Sequence, residues 1–219
     1  MNFRTPIAAE DFAAAFEEAK SMVAVLAGRG FVASAFLDGA SAADHLFSLI
    51  PEGAKVGLGG SMTLDALGVV DRLRAGPYRL IDRYTTPNWE ARMAAYREAL
   101  LADVFVTSVN AITRKGELVC IDSSGNRVAA MIFGPERVIV VAGVNKIVEN
   151  LDEAFARLKA IAPLNCRRLG HKTPCAETGV CAEECLSGER MCNYTGIIHH
   201  GLKEKDRIHV LLVAESLGF

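Results

Sequence analysis

Two hydrophobic rhythms alternate along this chain. Short unbroken aliphatic runs have the look of buried strands, and segments whose apolar positions recur every three or four residues have the look of amphipathic helices. Phe12, Phe16, Ala19 and Val23 share one face after Asp11, predicting a helix to about Leu26 that Gly28-Arg29-Gly30 stops. Phe31–Leu37 reads as a strand, and Ser41 with Asp44 three residues on starts a helix that Pro51 ends. A brief strand from Lys55 enters a glycine-rich turn and leaves it as a helix over Thr63–Arg74; Tyr78–Ile81 is the next strand. Thr86-Pro87 supplies a cap and a first-turn proline. In the helix that follows, Trp89, Met93, Tyr96 and Leu100 form a stripe expected in the core. Val104–Val109, Leu118–Ile121, Val128–Phe133 and Val138–Val141 are further strands, punctuated by Asp122-Ser-Ser-Gly125-Asn126 and Gly134-Pro135. Asn150, with Glu153, caps a helix over Leu151–Ile161 that Pro163 closes, and Arg207–Ala214 is a late strand returning to the sheet. This order predicts an α/β fold: a doubly wound, mostly parallel sheet with an antiparallel β-meander and a cysteine-rich loop near the C-terminus. One domain covers residues 1–219, with the cysteine insertion at about 170–195.

Polar residues of the central stretch fall where its strands stop: Asn110, Thr113, Asp122, Asn126, Arg127, Asn145 and Lys146. Ligands of open α/β sheets bind at strand ends, so this distribution suggests a site, although ordinary turn and surface roles fit the same residues. Gly59, Gly60 and Ser61 lie at the strand-to-helix turn, where the backbone can approach a ligand and free N–H groups favour an anion. A tight turn with Ser61 as helix cap is the alternative. The glycine spacing matches neither the dinucleotide fingerprint nor a Walker A loop, so no nucleotide is implied.

Half the residues are hydrophobic and the formal net charge is −2, which gives an ample core and no basic footprint for nucleic acid. The apolar runs are too short to span a membrane, and acidic residues near the N-terminus break up any signal-like segment. The chain therefore reads as cytoplasmic, where six cysteines bind a metal or stay reduced rather than pair. Four of them, Cys175, Cys181, Cys185 and Cys192, sit in one short, glycine-bearing segment with gaps of five, three and six residues. Four thiolates suffice for zinc or an iron–sulfur cluster, though no C-x-x-C knuckle is present; free or disulfide-linked thiols are the alternative. Cys166 and His171 lie close enough to replace a ligand, whereas Cys120 reads as a small buried hydrophobe. His199, His200 and His209 offer a rival metal set, but neighbouring histidines on an extended chain point to opposite faces, which favours structural roles.

The segments GGSMTLDALGV (59–69), VNAITRKGELVCIDSSGNRVAAMIFGP (109–135), VIVVAGVNKIV (138–148) and TPCAETGVCAEEC (173–185), taken together, resemble the lactate-utilisation (LUD) domain family, in the subgroup with a cysteine-bearing C-terminal segment. The resemblance runs from about residue 10 to Phe219. It implies a fold similar to glucosamine-phosphate isomerase, ribose-phosphate isomerase and CoA-transferases. It also implies a link to oxidation of L-lactate to pyruvate, with iron–sulfur subunits of a multi-protein system as partners. The isomerases' acidic signature is not intact here; Asp103 and Asp122 are isolated candidates for a base, and Glu117 maps weakly onto the CoA-transferase nucleophile. Fold likeness by itself does not assign chemistry.

Three readings follow. In the first, the chain is an accessory or catalytic component of organic-acid metabolism. Gly59, Gly60 and Ser61 cradle a small anion, Arg127 and Lys146 supply charge, Asn110, Asn126 and Asn145 orient polar groups, and the cysteines carry zinc or iron–sulfur. In the second, it is an enzyme on phosphorylated sugars or CoA esters, using Asp122 or Glu117 as base or nucleophile. In the third, it is a non-catalytic regulatory subunit whose cysteine loop docks a partner. Further copies of the same chain are candidate partners in each.

Overall fold

The computed structural model describes residues 4–5, 11–182 and 184–219. In chain order the elements are β1 (Arg4–Thr5), α1 (Phe12–Gly28), β2 (Val32–Phe36), α2 (Gly39–Ser48), β3 (Lys55–Leu58), α3 (Met62–Ala66), α4 (Val69–Ala75), β4 (Arg79–Leu80), α5 (Trp89–Ala99) and β5 (Val104–Thr107). They continue with β6 (Ala111–Thr113), β7 (Leu118–Asp122), α6 (Asn126–Ile132), β8 (Arg137–Gly143), β9 (Ile147–Val148), α7 (Leu151–Arg168), α8 (Pro174–Thr178), β10 (Tyr194–Ile198), β11 (Ile208–Val213) and β12 (Ser216–Leu217). A 3-10 turn, Val144–Lys146, joins β8 to β9.

The main sheet has six strands in the order β2-β11-β8-β5-β3-β4, all parallel. Side chains of a strand alternate between faces, and here both faces are covered. Phe105, Val138, Val140, Ala142, Val210 and Leu212 pack with Ala19, Met22 and Leu26 of α1 and with Ala130 and Met131 of α6. Val104, Val106, Ile139, Val141, Leu211 and Val213 pack on the opposite side with Leu46 of α2, Leu64 of α3, and Val69 and Leu73 of α4. Helices on both faces make the fold doubly wound. The late strand β11 is interior, hydrogen-bonded between β2 and β8.

A second sheet, β10-β7-β6-β9, carries the antiparallel pairing: β7 runs antiparallel to β6 and β10, while β9 is parallel to β6. Helix α7 covers it through Ala154 and Leu158 on Ala111 and Val119.

Several local expectations change. Of residues 128–133, read as a meander strand, all but Phe133 belong to helix α6. Gly125, at φ 75°, turns the chain out of β7, and the Asp122 carboxylate accepts the Val128 N–H at 2.8 Å, satisfying a first-turn donor. Only one side of the segment is buried: Ala130 and Met131 are enclosed, whereas Phe133 is 76% exposed. The helix expected over Thr63–Arg74 divides at Gly68, whose φ of 64° is left-handed. Asp38 rather than Ser41 caps α2, accepting Ser41 N–H at 2.8 Å, and Asn88 rather than Thr86 caps α5. The α5 stripe is only partly core, since Tyr96 is buried but Trp89 is 57% exposed. Pro163 lies inside α7 and does not close it. A proline removes one amide donor, and buried Leu158 and Cys166 on either side hold the helix through to Arg168 by packing.

Candidate functional site

Strands β3, β5 and β8 are neighbours in the main sheet, so the residues following their carboxyl ends meet. These are Gly60–Met62 after β3, Ser108–Asn110 after β5, and the turn ending at Lys146 after β8. They wall a cleft of about 240 Å³, together with Asp122 and Asn126–Arg127 from the end of β7 and start of α6. That is smaller than the roughly 300–1,000 Å³ of drug-sized ligand pockets and suits a small molecule.

Gly59 is needed for close approach: a Cβ there would stand 2.2 Å from Thr107 Oγ1 and 3.3 Å from Arg127 Cδ. Gly59→Ala should therefore push β3 from β5 and lower stability by about 1–3 kcal/mol, read as a lower urea midpoint. A Cβ on Gly60 would lie 3.1 Å from Arg83 Nη1. Ser61 caps α3, its Oγ accepting the Leu64 N–H at 3.3 Å, and still lines the cleft.

Arg127 is buried, and most of its donors are committed. Nε donates to Asp122 Oδ1 at 2.9 Å, Nη1 to the Ser108 carbonyl at 3.1 Å, and Nη2 to Asn110 Oδ1 and the Ile121 carbonyl, both at 2.7 Å. Burial disfavours its charge, but the Asp122 carboxylate outweighs burial and holds the guanidinium above its ordinary pKa. Both Asp122 oxygens are in use, one on Arg127 and the other on the Val128 N–H.

Lys146 is buried among neutral oxygen acceptors. Its ammonium lies 2.8 Å from Thr63 Oγ1, 2.8 Å from Ser108 Oγ and 3.1 Å from the Val109 carbonyl. Burial, then the charges of Arg157 and Arg127, lower its pKa to about 7. Arg157 donates from Nε to the Asn110 carbonyl at 2.9 Å, while its Nη2 is buried with no hydrogen-bond partner among the described residues. Around Asn110, Arg127 is ion-paired with Asp122, Lys146 is buried among oxygen acceptors, and Arg157 is half-buried. Four cationic side chains, Arg83, Arg127, Lys146 and Arg168, line the cleft against two carboxylates, Asp65 and Asp122, which biases it towards an anion.

The remaining candidates lie elsewhere. Asn145 turns away: its Oδ1 accepts the Leu217 N–H at 3.1 Å and ties down β12. Glu117 occupies the far end of the β6–β7 hairpin and does not line the cleft. Burial would raise its pKa, but hydrogen bonds from Thr113 at 2.8 Å and His199 at 3.1 Å lower it. Asp103 accepts the Lys55 N–H at 2.7 Å just before β5, at the opposite end of the strands from the cleft. His209 sits within β11 against the Asp206 carbonyl at 3.0 Å.

The sequence reading passed over Thr63, Arg83, Tyr84, Tyr96 and Arg168. Arg83 stacks on Tyr96 at 4.6 Å, and with Arg168 it faces the cleft from the far wall. Thr63 and Ser108 carry a findable signal, since each is a hydroxyl just past a strand end. Arg83 and Arg168 carry none.

Cys175, Cys181, Cys185 and Cys192 line a common void of about 10 Å³, and Cys166, from the last turns of α7, joins them. Arg190 Nε donates to Cys192 Sγ at 3.1 Å, and Thr173 Oγ1 lies 3.3 Å from Cys175 Sγ. Thiols fit zinc or iron–sulfur chemistry as donors. Among the described residues, however, no group of three or more Cys, His, Asp or Glu is placed to hold an ion. Ala162, Met191 and Cys192 line both this void and the cleft, so the two share a wall. Cys120 is buried in β7, and burial pushes its pKa up to about 11.

No helix among the described residues is long and apolar enough to cross a membrane. No curated protein matches the chain significantly in sequence. Among solved structures, a DUF162 family protein from Deinococcus radiodurans aligns with a TM-score of 0.50 at 13% identity, covering 95% of this chain and 99% of its own. The eIF2B delta structure from Chaetomium thermophilum aligns with a TM-score of 0.34 at 16% identity, over 53% of this chain and 50% of its own. The first of these shares the fold. The model of the LUD domain matches residues 19–213, almost the whole of the α/β unit that builds the cleft and the cysteine segment, and the chain belongs to the LUD-domain family.

Proposed function

We propose that this LUD-domain protein binds a small organic anion of lactate metabolism, L-lactate or pyruvate being the simplest, in the cleft at the ends of β3, β5 and β8. The observation that carries this reading is the excess of cationic side chains lining that cleft, Arg83, Arg127, Lys146 and Arg168 against the carboxylates of Asp65 and Asp122. Gly60, Ser61, Asn110 and Asn126 supply polar wall, and Arg83 and Arg168 supply charge from the other side, offset in part by the Asp65 carboxylate beside them. Arg127 and Asp122 hold this wall in place through their mutual ion pair. The cysteine segment, in the same reading, carries a metal held by Cys175, Cys181, Cys185 and Cys192, with Cys166 in reach. The smallness of their common void favours a single ion such as zinc over an iron–sulfur cluster. When bound, such an ion cross-links a segment with little core of its own. Val180 and Leu186, exposed on that segment at 71% and 97%, are the surface we assign to a partner subunit.

Calorimetric titration with L-lactate, pyruvate and inorganic phosphate should show binding that weakens with salt, and none for glycerol. Lys146→Met should weaken it about tenfold or more, the scale of one lost charged hydrogen bond. Failure of all three anions to bind the folded protein would remove the reading. For the metal, anaerobically purified protein should contain about one ion per chain, lost in Cys175→Ser and Cys192→Ser. Colourless, metal-free protein that keeps its melting temperature under chelator would reject that half.

A further inference from the structure

We propose that Ser108 and Lys146 form a nucleophile–base pair, oriented by Thr63, that transfers the acyl group of a small ester or thioester. The three residues follow three adjacent parallel strands, β5, β8 and β3, and Ser108 and Lys146 both line the cleft. Ser108 Oγ and Lys146 Nζ are 2.8 Å apart, within reach for proton transfer.

The hydrogen bonds assign the proton's direction. Thr63 Oγ1 donates to the Leu217 carbonyl at 3.1 Å, so towards Lys146, 2.8 Å away, it can only accept. The Val109 carbonyl, 3.1 Å away, also only accepts. A neutral amine has two N–H groups and one lone pair. Its two N–H groups go to Thr63 and Val109, and the lone pair is left facing the one remaining partner, the Ser108 hydroxyl. When Lys146 is protonated, all three of its N–H groups donate and the Ser108 hydrogen must turn to Val109 or Thr63, 3.3 and 3.4 Å away. The neutral amine alone activates the serine. The charged and titratable groups around Nζ are Arg157 from α7, Arg127 from α6 with its partner Asp122, and Cys120 from β7. The two arginines favour the neutral amine, in keeping with a pKa of about 7.

In the acylation step Ser108 Oγ bonds the acyl carbon while its proton passes to Lys146 Nζ. The bond to the alcohol or thiol breaks, and Nζ returns the proton to that leaving group. Water then attacks the acyl-serine, Lys146 takes its proton and hands it to Ser108 Oγ, and a carboxylic acid departs. The preference for an anionic acyl group rests on the anion-binding reading above, through Arg83 and Arg168; the dyad itself does not.

The test is labelling of the full chain with a fluorophosphonate probe, read by intact mass and peptide mapping, beside hydrolysis of p-nitrophenyl acetate. One probe per chain is expected, on Ser108, with a rate that rises about tenfold per pH unit below pH 7 and levels above it. Ser108→Ala should abolish labelling, and Lys146→Met should slow it by about 10²–10⁴, the usual worth of a general base. Should Lys146→Met fail to fold, the pH profile of the wild type decides. Absence of labelling at pH 8, labelling elsewhere, or a flat pH profile overturns the dyad. Labelling of Ser108 without calorimetric anion binding supports the dyad and removes only the anion reading; anion binding without labelling does the reverse.

Discussion

Arg127→Leu is expected to lower the unfolding free energy by about 3–5 kcal/mol, the scale for removing one partner of a buried ion pair. The guanidinium satisfies four acceptors at once: Asp122, the Ser108 and Ile121 carbonyls, and Asn110. Leucine fills part of the volume but leaves Asp122, 8% exposed, as an uncompensated buried charge. Those acceptors belong to β7 and to the segment joining β5 to β6, so the loss loosens the sheet junction as well as the cleft. Urea unfolding followed by circular dichroism measures the change. The double variant Arg127→Leu/Asp122→Asn should recover a substantial part, because the stranded charge is then gone. A double variant no better than Arg127→Leu would show that the carboxylate is not what makes the single change costly.

Lys146 should leave a pH signature on stability. Its folded pKa is about 7 against the ordinary lysine value of 10.5. Below pH 7 the amine is protonated in both states, and the folded protein bears the full penalty of a buried charge. As pH rises through the folded pKa, the native amine becomes neutral while the unfolded one stays protonated. The unfolded state then binds more protons, so stability rises with pH until about 10.5. Between pH 7 and 8.5 the wild type should gain about 1–2 kcal/mol relative to Lys146→Met. The buried thiols act oppositely: burial raises Cys120 to about 11, so they erode stability as pH climbs past the usual thiol range. They are common to both proteins and cancel in the difference. Parallel pH dependence in wild type and variant would mean that Lys146 stays charged in the fold.

Much of the frame was legible because strand patterning is local. Val138–Val141 is an unbroken aliphatic run and Ile208–Val213 is aliphatic except for His209, and each proved to be a strand buried on both faces. The Asn150–Glu153 cap was also readable: Asn150 Oδ1 accepts the Glu153 N–H at 3.0 Å, and Glu153 accepts the Glu149 N–H at 2.8 Å in return. Residues 128–133 were not, since six residues with an apolar majority fit a buried strand or one face of a short helix equally well. The Asp122 bond to Val128 decides between them, and it joins side chain to backbone across a turn.

The candidate site divides along the same line. Polar residues past strand ends marked Gly60, Ser61, Asn110, Asp122, Asn126, Arg127 and Lys146, all of which line the cleft. The same rule included Asn145, which holds β12 instead. It could not show that Arg127 would have most of its donors occupied, because hydrogen-bond saturation depends on partners from five to nineteen positions away.

The amino-acid order alone determined where aliphatic segments must be buried, where glycine lets the chain turn, and which strand ends carry polar groups, because each depends on neighbours within a few residues. Only the tertiary structure decided that β11 threads between β2 and β8, and that Thr63, Ser108 and Lys146 meet at one amine. Strand order is set by the joint burial of distant segments, and a lone pair acquires a direction only when every competing hydrogen-bond partner is in place.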